Sequence, residues 1–301
     1  SNVISKNDVI EKMREMKDEG HYLIIHTGRH MRTCNGNVSK VIEKIGKITE
    51  DWLQKWNVPY DELVFGKPYA DIYVDDLGIE FSTKEKLDEK IKSIQPYIII
   101  PMAGQGKRFK DNGITKPKFM IKVKNKSLFE WSLDSLPLDI SKKIIFVCLE
   151  EHEKNFKISE FIKNIMNEKY PNAKYDLVYL ENTTSGQAET VLHAKHLVDL
   201  DSSLIIYNID THFISTRLKS KILTLKNKKI DGILGCFESY DENLSFIKLN
   251  QDGFVTKIKE KEKISNLAST GLYVFSNAKQ FVEAAEMMIK NDVKVKDEFF
   301  V

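Results

Sequence analysis

Residues 98–118 read I-I-I-P-M-A-G-Q-G-K-R-F-K-D-N-G-I-T-K-P-K, and no other stretch limits the possible folds as tightly. Ile98–Ile100 is apolar at every position, which marks a strand covered on both faces. It runs into a loop holding Gly104 and Gly106, then Arg108, then Lys116-Pro117-Lys118. A loop of this kind can cradle a nucleoside triphosphate. Glycines let backbone N–H groups approach phosphates closely, and fixed cations offset charge developing on a reacting phosphoryl group. The strand reads as the first of a domain, yet it begins almost a hundred residues into the chain.

From Tyr97 onward strand and helix patterns alternate. Strands are expected at Tyr97–Ile100, Ile144–Leu149, Leu177–Leu180 and Leu204–Asn208, and helices at Ser127–Leu136, Glu153–Glu168 and Gln187–Val198. Such alternation predicts a mostly parallel sheet with helices on both faces. Later strands, at Gly232–Phe237, Phe246–Leu249, Val255–Lys259 and Gly271–Phe275, come with fewer helices, which predicts a mixed or antiparallel extension. Ahead of Tyr97 the reading is again α/β. Val9, Ile10, Met13 and Met16 mark a helix face ended by Gly20, and a short strand follows at Tyr22–His26. A helix from about Ser39 to Trp56, strands near Leu63–Phe65 and Ile72–Val74, and a helical spacing of Leu87, Ile91 and Ile94 complete it. Gln95-Pro96 breaks the pattern and divides the chain into domains at 1–95 and 96–301.

A chain of 301 residues has room for two such domains, and its 42% hydrophobic and 30% charged residues are those of a globular protein in water. No stretch approaches the roughly 20 apolar residues of a membrane span, and no signal peptide opens the chain. A cytoplasmic location without a membrane partner is the expectation. The 46 basic and 44 acidic residues are well mixed, giving +2 overall, which argues against nucleic acid as a partner. Cys34, Cys148 and Cys236 are far apart and lack C-x-x-C spacing, so buried thiols are expected rather than a disulfide framework or zinc site. His193 and His196 share a helix face without an acidic neighbour and read as surface or packing residues, while Trp52, Trp56 and Trp131 read as core.

The glycine loop is neither G-x-G-x-x-G nor G-x-x-x-x-G-K-[ST], so the dinucleotide and P-loop readings fail on spacing. With Arg108-Phe109 and Lys116-Pro117-Lys118, the pattern A-G-x-G-x-R-F…K-P-K resembles the sugar-phosphate nucleotidyltransferases. Those enzymes join a nucleoside triphosphate to a phosphorylated metabolite and release pyrophosphate. Three further segments fit the resemblance. Thr184-Ser185-Gly186-Gln187-Ala188 looks like the family's base-recognition turn, and by itself reads equally as a Ser-capped helix start. Ile205–Asp210 puts a carboxylate just past a buried strand, where open α/β sheets bind ligands, and resembles the family's metal-ligand aspartate. Glu260-Lys261 followed by Ser269-Thr270-Gly271-Leu272-Tyr273 looks like the E-K…T-G-x-Y segment, although the alternating charges of 257–263 also suit an edge strand. Several family members carry a second metal-binding aspartate after the T-G-x-Y strand, where this chain has Ser276.

The resemblance implies a Rossmann-like nucleotidyltransferase domain with a mostly parallel mixed sheet. It assigns Arg108 and Lys118 to the triphosphate and transition state, Lys261 to the acceptor phosphate, and Asp210 to Mg²⁺ as cofactor. Ala103, Gly104, Gln105, Gly106, Gly186 and Gln187 would bind the nucleotide, and a pyrimidine edge on Gln187 favours CTP or UTP/dTTP. The acceptor is a phosphorylated small molecule, by family default a sugar 1-phosphate, in capsule or surface polysaccharide biosynthesis. A homo-oligomer is left open.

Residues 5–80 resemble haloacid-dehalogenase-type phosphatases, especially those beside capsule genes. The resemblance is carried by His26-Thr27-Gly28-Arg29, Trp52–Tyr69 with Gly66-Lys67-Pro68, and Tyr73-Val74-Asp75-Asp76. Thr27, Arg29, Lys67, Asp75 and Asp76 outline a phosphate and Mg²⁺ site. That family needs an aspartate nucleophile in D-x-D on a preceding strand, and residues 1–20 hold none. The only D-x-D-x-S/T-like match, Asp199-Leu200-Asp201-Ser202, reads as a turn in the other domain. A partial phosphatase-like domain without phosphatase activity is therefore expected, in a chain clipped at its front and ending at Phe299-Phe300-Val301 without a finished element.

Overall fold

The computed structural model describes residues 7–68, 95–106, 109, 111–225 and 230–301, in a chain that divides into two units, Ser1–Ile91 and Lys92–Val301. In the first unit helix α1 (Asn7–Asp18) leads to strand β1 (Ile24–Thr27), helix α2 (Val38–Lys55) and strand β2 (Glu62–Phe65). β1 starts two residues later than the sequence pattern places it, at Ile24 rather than Tyr22. The reason lies at Leu23, whose N–H is taken by the Asp61 carboxylate at 2.6 Å, so the ladder begins one residue on. β1 and β2 are parallel, with Thr27 opposite Phe65. Asn37 caps α2 by accepting from the Lys40 N–H, and Met31, Cys34, Val41 and Ile45 close a small core against Phe65. The strand expected at Ile72–Val74 and the helical pattern of 82–93 lie outside the described residues.

The second unit is built on an eight-stranded mixed sheet. Its strands are β3 (Tyr97–Pro101), β6 (Lys143–Leu149), β7 (Tyr175–Leu180), β8 (Leu204–Tyr207), β9 (Gly232–Glu238), β10 (Ser245–Leu249), β11 (Val255–Glu260) and β12 (Leu267–Phe275), while β4 (Lys122–Val123) and β5 (Lys126–Ser127) form a separate hairpin. The described helices of this unit are α3 (Leu128–Leu133), α4 (Glu150–Phe156), α5 (Ile158–Lys169), α6 (Gln187–Leu192), α7 (Leu218–Thr224) and α8 (Ala278–Lys290). The sheet order is β11-β10-β12-β8-β3-β6-β7, with β9 also on β12. β8, β3, β6 and β7 run parallel, and β12 begins the antiparallel extension.

The apolar runs follow from this arrangement. Ile98, Ile100, Ile144, Phe146, Ile205 and Tyr207 point into the core on one face of the sheet. Ile99, Ile145, Val147, Leu204 and Ile206 point into the core on the other. Successive side chains alternate faces, so a strand covered twice must be apolar throughout.

Three expectations are corrected. The helix read over Glu153–Glu168 is two helices, because Lys157 takes a left-handed backbone at φ +50° between α4 and α5. The Glu153 carboxylate accepts from the N–H and hydroxyl of Ser159 and so serves the first turn of the second helix. Cys236 is exposed rather than buried, on β9, whose ladder partner is β12; Cys34 and Cys148 are buried. Trp52, Trp56 and Trp131 are half-buried: the first two pack on each other and the third donates from its ring N–H to the Val123 carbonyl. His193 and His196 are exposed, and Asp199–Ser202 is the turn expected, tied by the Asp199 carboxylate to the Ser202 hydroxyl. No described helix is long and apolar enough to cross a membrane.

Candidate active site

From β3 the chain winds to β6 and β7 on one side, then returns to β8 on the other side of β3. This reversal opens a crevice beyond the carboxyl ends of β3 and β8, where open α/β sheets bind ligands. Residues 102–106 leave β3 there, and Asn208-Ile209-Asp210 leave β8 beside them.

The loop is fixed at its root and open at its tip. Met102 donates its N–H to the Val147 carbonyl at 2.7 Å, and Ala103 is buried. Gly106 takes φ +63°, and a Cβ at Gly104 or Gly106 would meet nothing within 4 Å. The glycines therefore serve backbone conformation and access rather than close packing. Gln105 is exposed. Arg108 lies outside the described residues.

Lys118 begins a single 3₁₀ turn, Lys118–Met120, whose Phe119 is buried against Phe161 and His152. That anchor lets the Lys118 Nζ reach the Asp210 Oδ2 at 2.9 Å, although the two residues are 92 positions apart. Asp210 is itself framed by fixed neighbours. Ile209 is buried, and the Tyr207 hydroxyl donates to the Thr211 carbonyl at 2.7 Å. Burial pushes that hydroxyl up to about 12, so it remains a protonated donor at neutral pH. Phe213 donates its N–H to the Ser135 hydroxyl, which holds the loop after Asp210 against α3.

Gly186, not Ser185, is the N-cap of α6, so the Ser-capped reading of that turn does not hold. Gln187 donates from Nε2 to the Asn208 Oδ1 at 2.7 Å, which ties the turn to the same strand end that carries Asp210. The sequence pattern missed Asn208. It also missed Phe299, whose backbone hydrogen-bonds on both sides of Gly186: its N–H to the Ser185 carbonyl, its carbonyl to the Ala188 N–H. Lys261 stands apart from these groups in its described contacts. It has φ +51° just beyond β11, donates its N–H to the Leu244 carbonyl, and its Nζ lies 3.6 Å from the Glu260 carboxylate.

Ser276 is at the opposite end of the strands from Asp210. β12 runs antiparallel to β8, with Leu272 opposite Tyr207 and Phe275 opposite Leu204, so Ser276 follows the end of β12 remote from Asp210. There its N–H goes to the Asp231 carbonyl and its hydroxyl to Gln280. The absence of a carboxylate at 276 therefore takes nothing from the Asp210 site.

In the first unit, the parallel pairing of β1 with β2 brings Thr27 and Lys67 together: the Lys67 N–H donates to the Thr27 carbonyl at 3.2 Å. The Thr27 hydroxyl accepts from the Arg29 N–H. A Cβ on Gly28 would come within 2.9 Å of the Lys67 carbonyl, so the close approach requires glycine. Asp75 and Asp76 lie outside the described residues. Surface hollows of about 350 Å³ (Lys47, Leu53, Tyr60) and about 490 Å³ (Glu150, Glu151, Glu181) touch none of the candidate groups.

The family model described as Nucleotidyl transferase matches residues 97–299. The chain belongs to the nucleotidyl transferase family. Among solved structures it is similar to a nucleoside-diphosphate-sugar pyrophosphorylase from Vibrio cholerae RC9, at 29% identity over 68% of this chain and 84% of that one, with a TM-score of 0.56. It is also similar to the inositol-1-phosphate CTP transferase from T. maritima, at 17% identity over 69% and 78% of the two chains and a TM-score of 0.52, a likeness of fold. A comparison with curated protein sequences gives no match. In this nucleotidyl transferase the matched span takes in the glycine loop, Lys118, Gln187, Asp210 and Lys261.

The family implies a divalent ion, and the residues present fit Mg²⁺. No group of three or more His, Cys, Asp or Glu side chains suited to a metal occurs among the described residues. Mg²⁺ does not need such a cage, since it commonly takes one or two carboxylates together with substrate phosphates and water. Asp210, with its carboxylate 37% exposed and already drawn to a cation, has the chemistry such a ligand would need.

Proposed function

We propose that this nucleotidyl transferase uses Mg²⁺ to transfer a nucleoside monophosphate from an NTP to a phosphorylated small metabolite. The acceptor is a sugar 1-phosphate or a similar compound, and the product serves capsule or surface polysaccharide synthesis. The observation that carries the reading is the Lys118–Asp210 pair beside an open glycine loop at the reversal point of the sheet. A cation and a carboxylate at that place match a triphosphate and its counter-ion.

In this reading the backbone of 103–106 receives the phosphates and Gln187 meets the base. Lys118, with Arg108, neutralises charge on the reacting phosphate, and Lys261 holds the acceptor phosphate. When bound at Asp210, Mg²⁺ would supply further charge neutralisation across the phosphates. An oxygen of the acceptor phosphate forms a bond to the α-phosphorus while the bond from that phosphorus to the bridging oxygen breaks, and pyrophosphate leaves with the electron pair. The protein's contribution is positioning and electrostatics, and no side-chain nucleophile is required. The similar protein from V. cholerae is a nucleoside-diphosphate-sugar pyrophosphorylase, which supports the acceptor class.

The test is pyrophosphate release from each of the four NTPs and dTTP with Mg²⁺ and a panel of sugar 1-phosphates, phosphocholine and glycerol phosphate. Turnover with a defined NTP and acceptor, CTP or UTP/dTTP first, is expected. No release from any pair, with NTP binding intact, would replace the enzyme by a nucleotide sensor. The first unit is proposed to be phosphatase-like, a reading supported by the parallel pairing that joins Thr27 to Lys67, and residues 1–20 of the given sequence hold no D-x-D. Mg²⁺-dependent hydrolysis of p-nitrophenyl phosphate is expected to be absent, and robust turnover would overturn that reading.

A further inference from the structure

Asn208 touches three segments far apart in sequence, two of which carry candidate motifs. Its Oδ1 accepts from the Gln187 Nε2 at 2.7 Å. Its backbone N–H donates to the Gly271 carbonyl at 3.3 Å, and its own carbonyl accepts from the Ser132 hydroxyl at 2.6 Å. Its amide lies over Gly271 so closely that a Cβ on that glycine would fall inside contact distance of the Asn208 Nδ2 and Cγ. The register of β12 against β9 shifts between Ser269 and Tyr273, the stretch that holds Gly271.

We infer that Asn208 is a positioning residue for nucleotide selection: it fixes the Gln187 amide, and through that amide it sets which nucleobase the site accepts. The inference rests on the reading of Gln187 as the base contact. Besides Gln187, Asn208 is held by the Ser132 hydroxyl and by Gly271, through its carbonyl and its close approach to the amide, so the oxygen it offers Gln187 is fixed in place. A glutamine bound at Nε2 has lost most of its rotamer freedom and presents a defined edge to an incoming base. Freed from Asn208, the same side chain could turn either its oxygen or its nitrogen to the base and would accept bases of opposite hydrogen-bonding sense. Selectivity, more than affinity, is therefore what Asn208 supplies.

The experiment is a calorimetric titration of the full chain with each of the four NTPs and Mg²⁺, for wild type, Asn208→Ala, Gln187→Ala and the double variant. Asn208→Ala is expected to reduce the ratio between the best and worst NTP by about tenfold, the value of one well-made hydrogen bond. In the Gln187→Ala background the same change is expected to leave the ratio unmoved, because the group it acts through is gone. Asn208→Asp keeps the volume and an acceptor oxygen, so it is expected to retain the wild-type ranking. Its extra charge acts on the triphosphate common to all four ligands and cancels in the ratio, and it keeps the test open where the alanine variant fails to fold. An additive cycle, or loss of ranking in Asn208→Asp, overturns the inference and leaves nucleotidyl transfer standing. Absence of binding by the wild type to every NTP overturns both.

Discussion

Gly186 lies against the backbone of Phe299 so closely that a Cβ there would overlap both the nitrogen and the carbonyl oxygen of Phe299. The Phe299 N–H donates to the Ser185 carbonyl at 2.9 Å, and its carbonyl accepts from the Ala188 N–H at 3.0 Å. The turn that presents Gln187 is thus completed by a segment from the far end of the second unit. With φ at +152°, Gly186 is also in a conformation that other residues avoid.

Gly186→Ala is therefore expected to cost roughly 1–3 kcal/mol, through overlap and backbone strain together. Undocking of Phe299 gives the cost a local signature: hydrogen exchange should quicken at residues 185–190 and 296–301 ahead of the rest of the unit. Urea unfolding and exchange mass spectrometry check the two parts. A folded variant with wild-type exchange at both segments would refute the docking.

The pair formed by Lys118 and Asp210 is partly exposed, at 28% and 37% for the two side chains. Such a pair contributes about 0–1 kcal/mol to stability. Asp210→Asn and Lys118→Ala are therefore expected to unfold within about 1 kcal/mol of wild type. Their rates of pyrophosphate release should nevertheless fall by about 10²–10³, the cost of losing one charge-stabilising group from a reacting site. Urea unfolding and a pyrophosphate-release assay on the same preparations separate the two effects. A loss of rate matched by a comparable loss of stability would mean that the pair is structural.

The parts of the fold legible in the sequence are those whose burial is two-sided. Ile98–Ile100 and Ile144–Leu149 could only be parallel strands, and both are. What escaped depended on direction or on a single residue. The family pattern marks position 276 as a metal site without saying which end of the sheet it reaches, and the antiparallel pairing of β12 with β8 carries Ser276 to the end remote from Asp210. The start of β12 at Leu267 was missed because Ser269 and Thr270 weaken the apolar pattern, and pairing of Leu267–Ser269 with β9 supplies what the pattern lacks. The helix break at Lys157 has no glycine to announce it. Asn208 left one faint signal: a polar amide ending a buried strand, two residues before the candidate metal ligand.

Glu130 couples the stability of the second unit to pH. Burial would raise its carboxyl, but hydrogen bonds from Lys169 and from the Ser127 hydroxyl and N–H outweigh burial and hold it at about 2. A carboxyl depressed in the folded state stabilises fully above its unfolded value of 4.5, and the contribution is lost as pH falls toward 2. Wild type is expected to lose up to about 3 kcal/mol from this group across that window. Glu130→Gln should be less stable at neutral pH and should lack that component of the acid slope. Urea midpoints at stepped pH give the comparison, and equal slopes for the two proteins would rule the assignment out.

At Gly271 strain and function can be separated. It takes φ +74°, and a Cβ would run into the Asn208 amide, the same amide that receives Gln187. Gly271→Ala is expected to cost about 1–3 kcal/mol from backbone strain and overlap. Relief of the overlap displaces the Asn208 side chain, since the β12 backbone is paired to β8 and β9 on either side. Discrimination among NTPs should therefore fall as it does in Asn208→Ala, even though residue 271 presents no group to the base. Thermal unfolding measures the strain, and the NTP titration measures the displacement. Wild-type discrimination in a destabilised Gly271→Ala would show that the amide keeps its place and that Gly271 serves the strand alone.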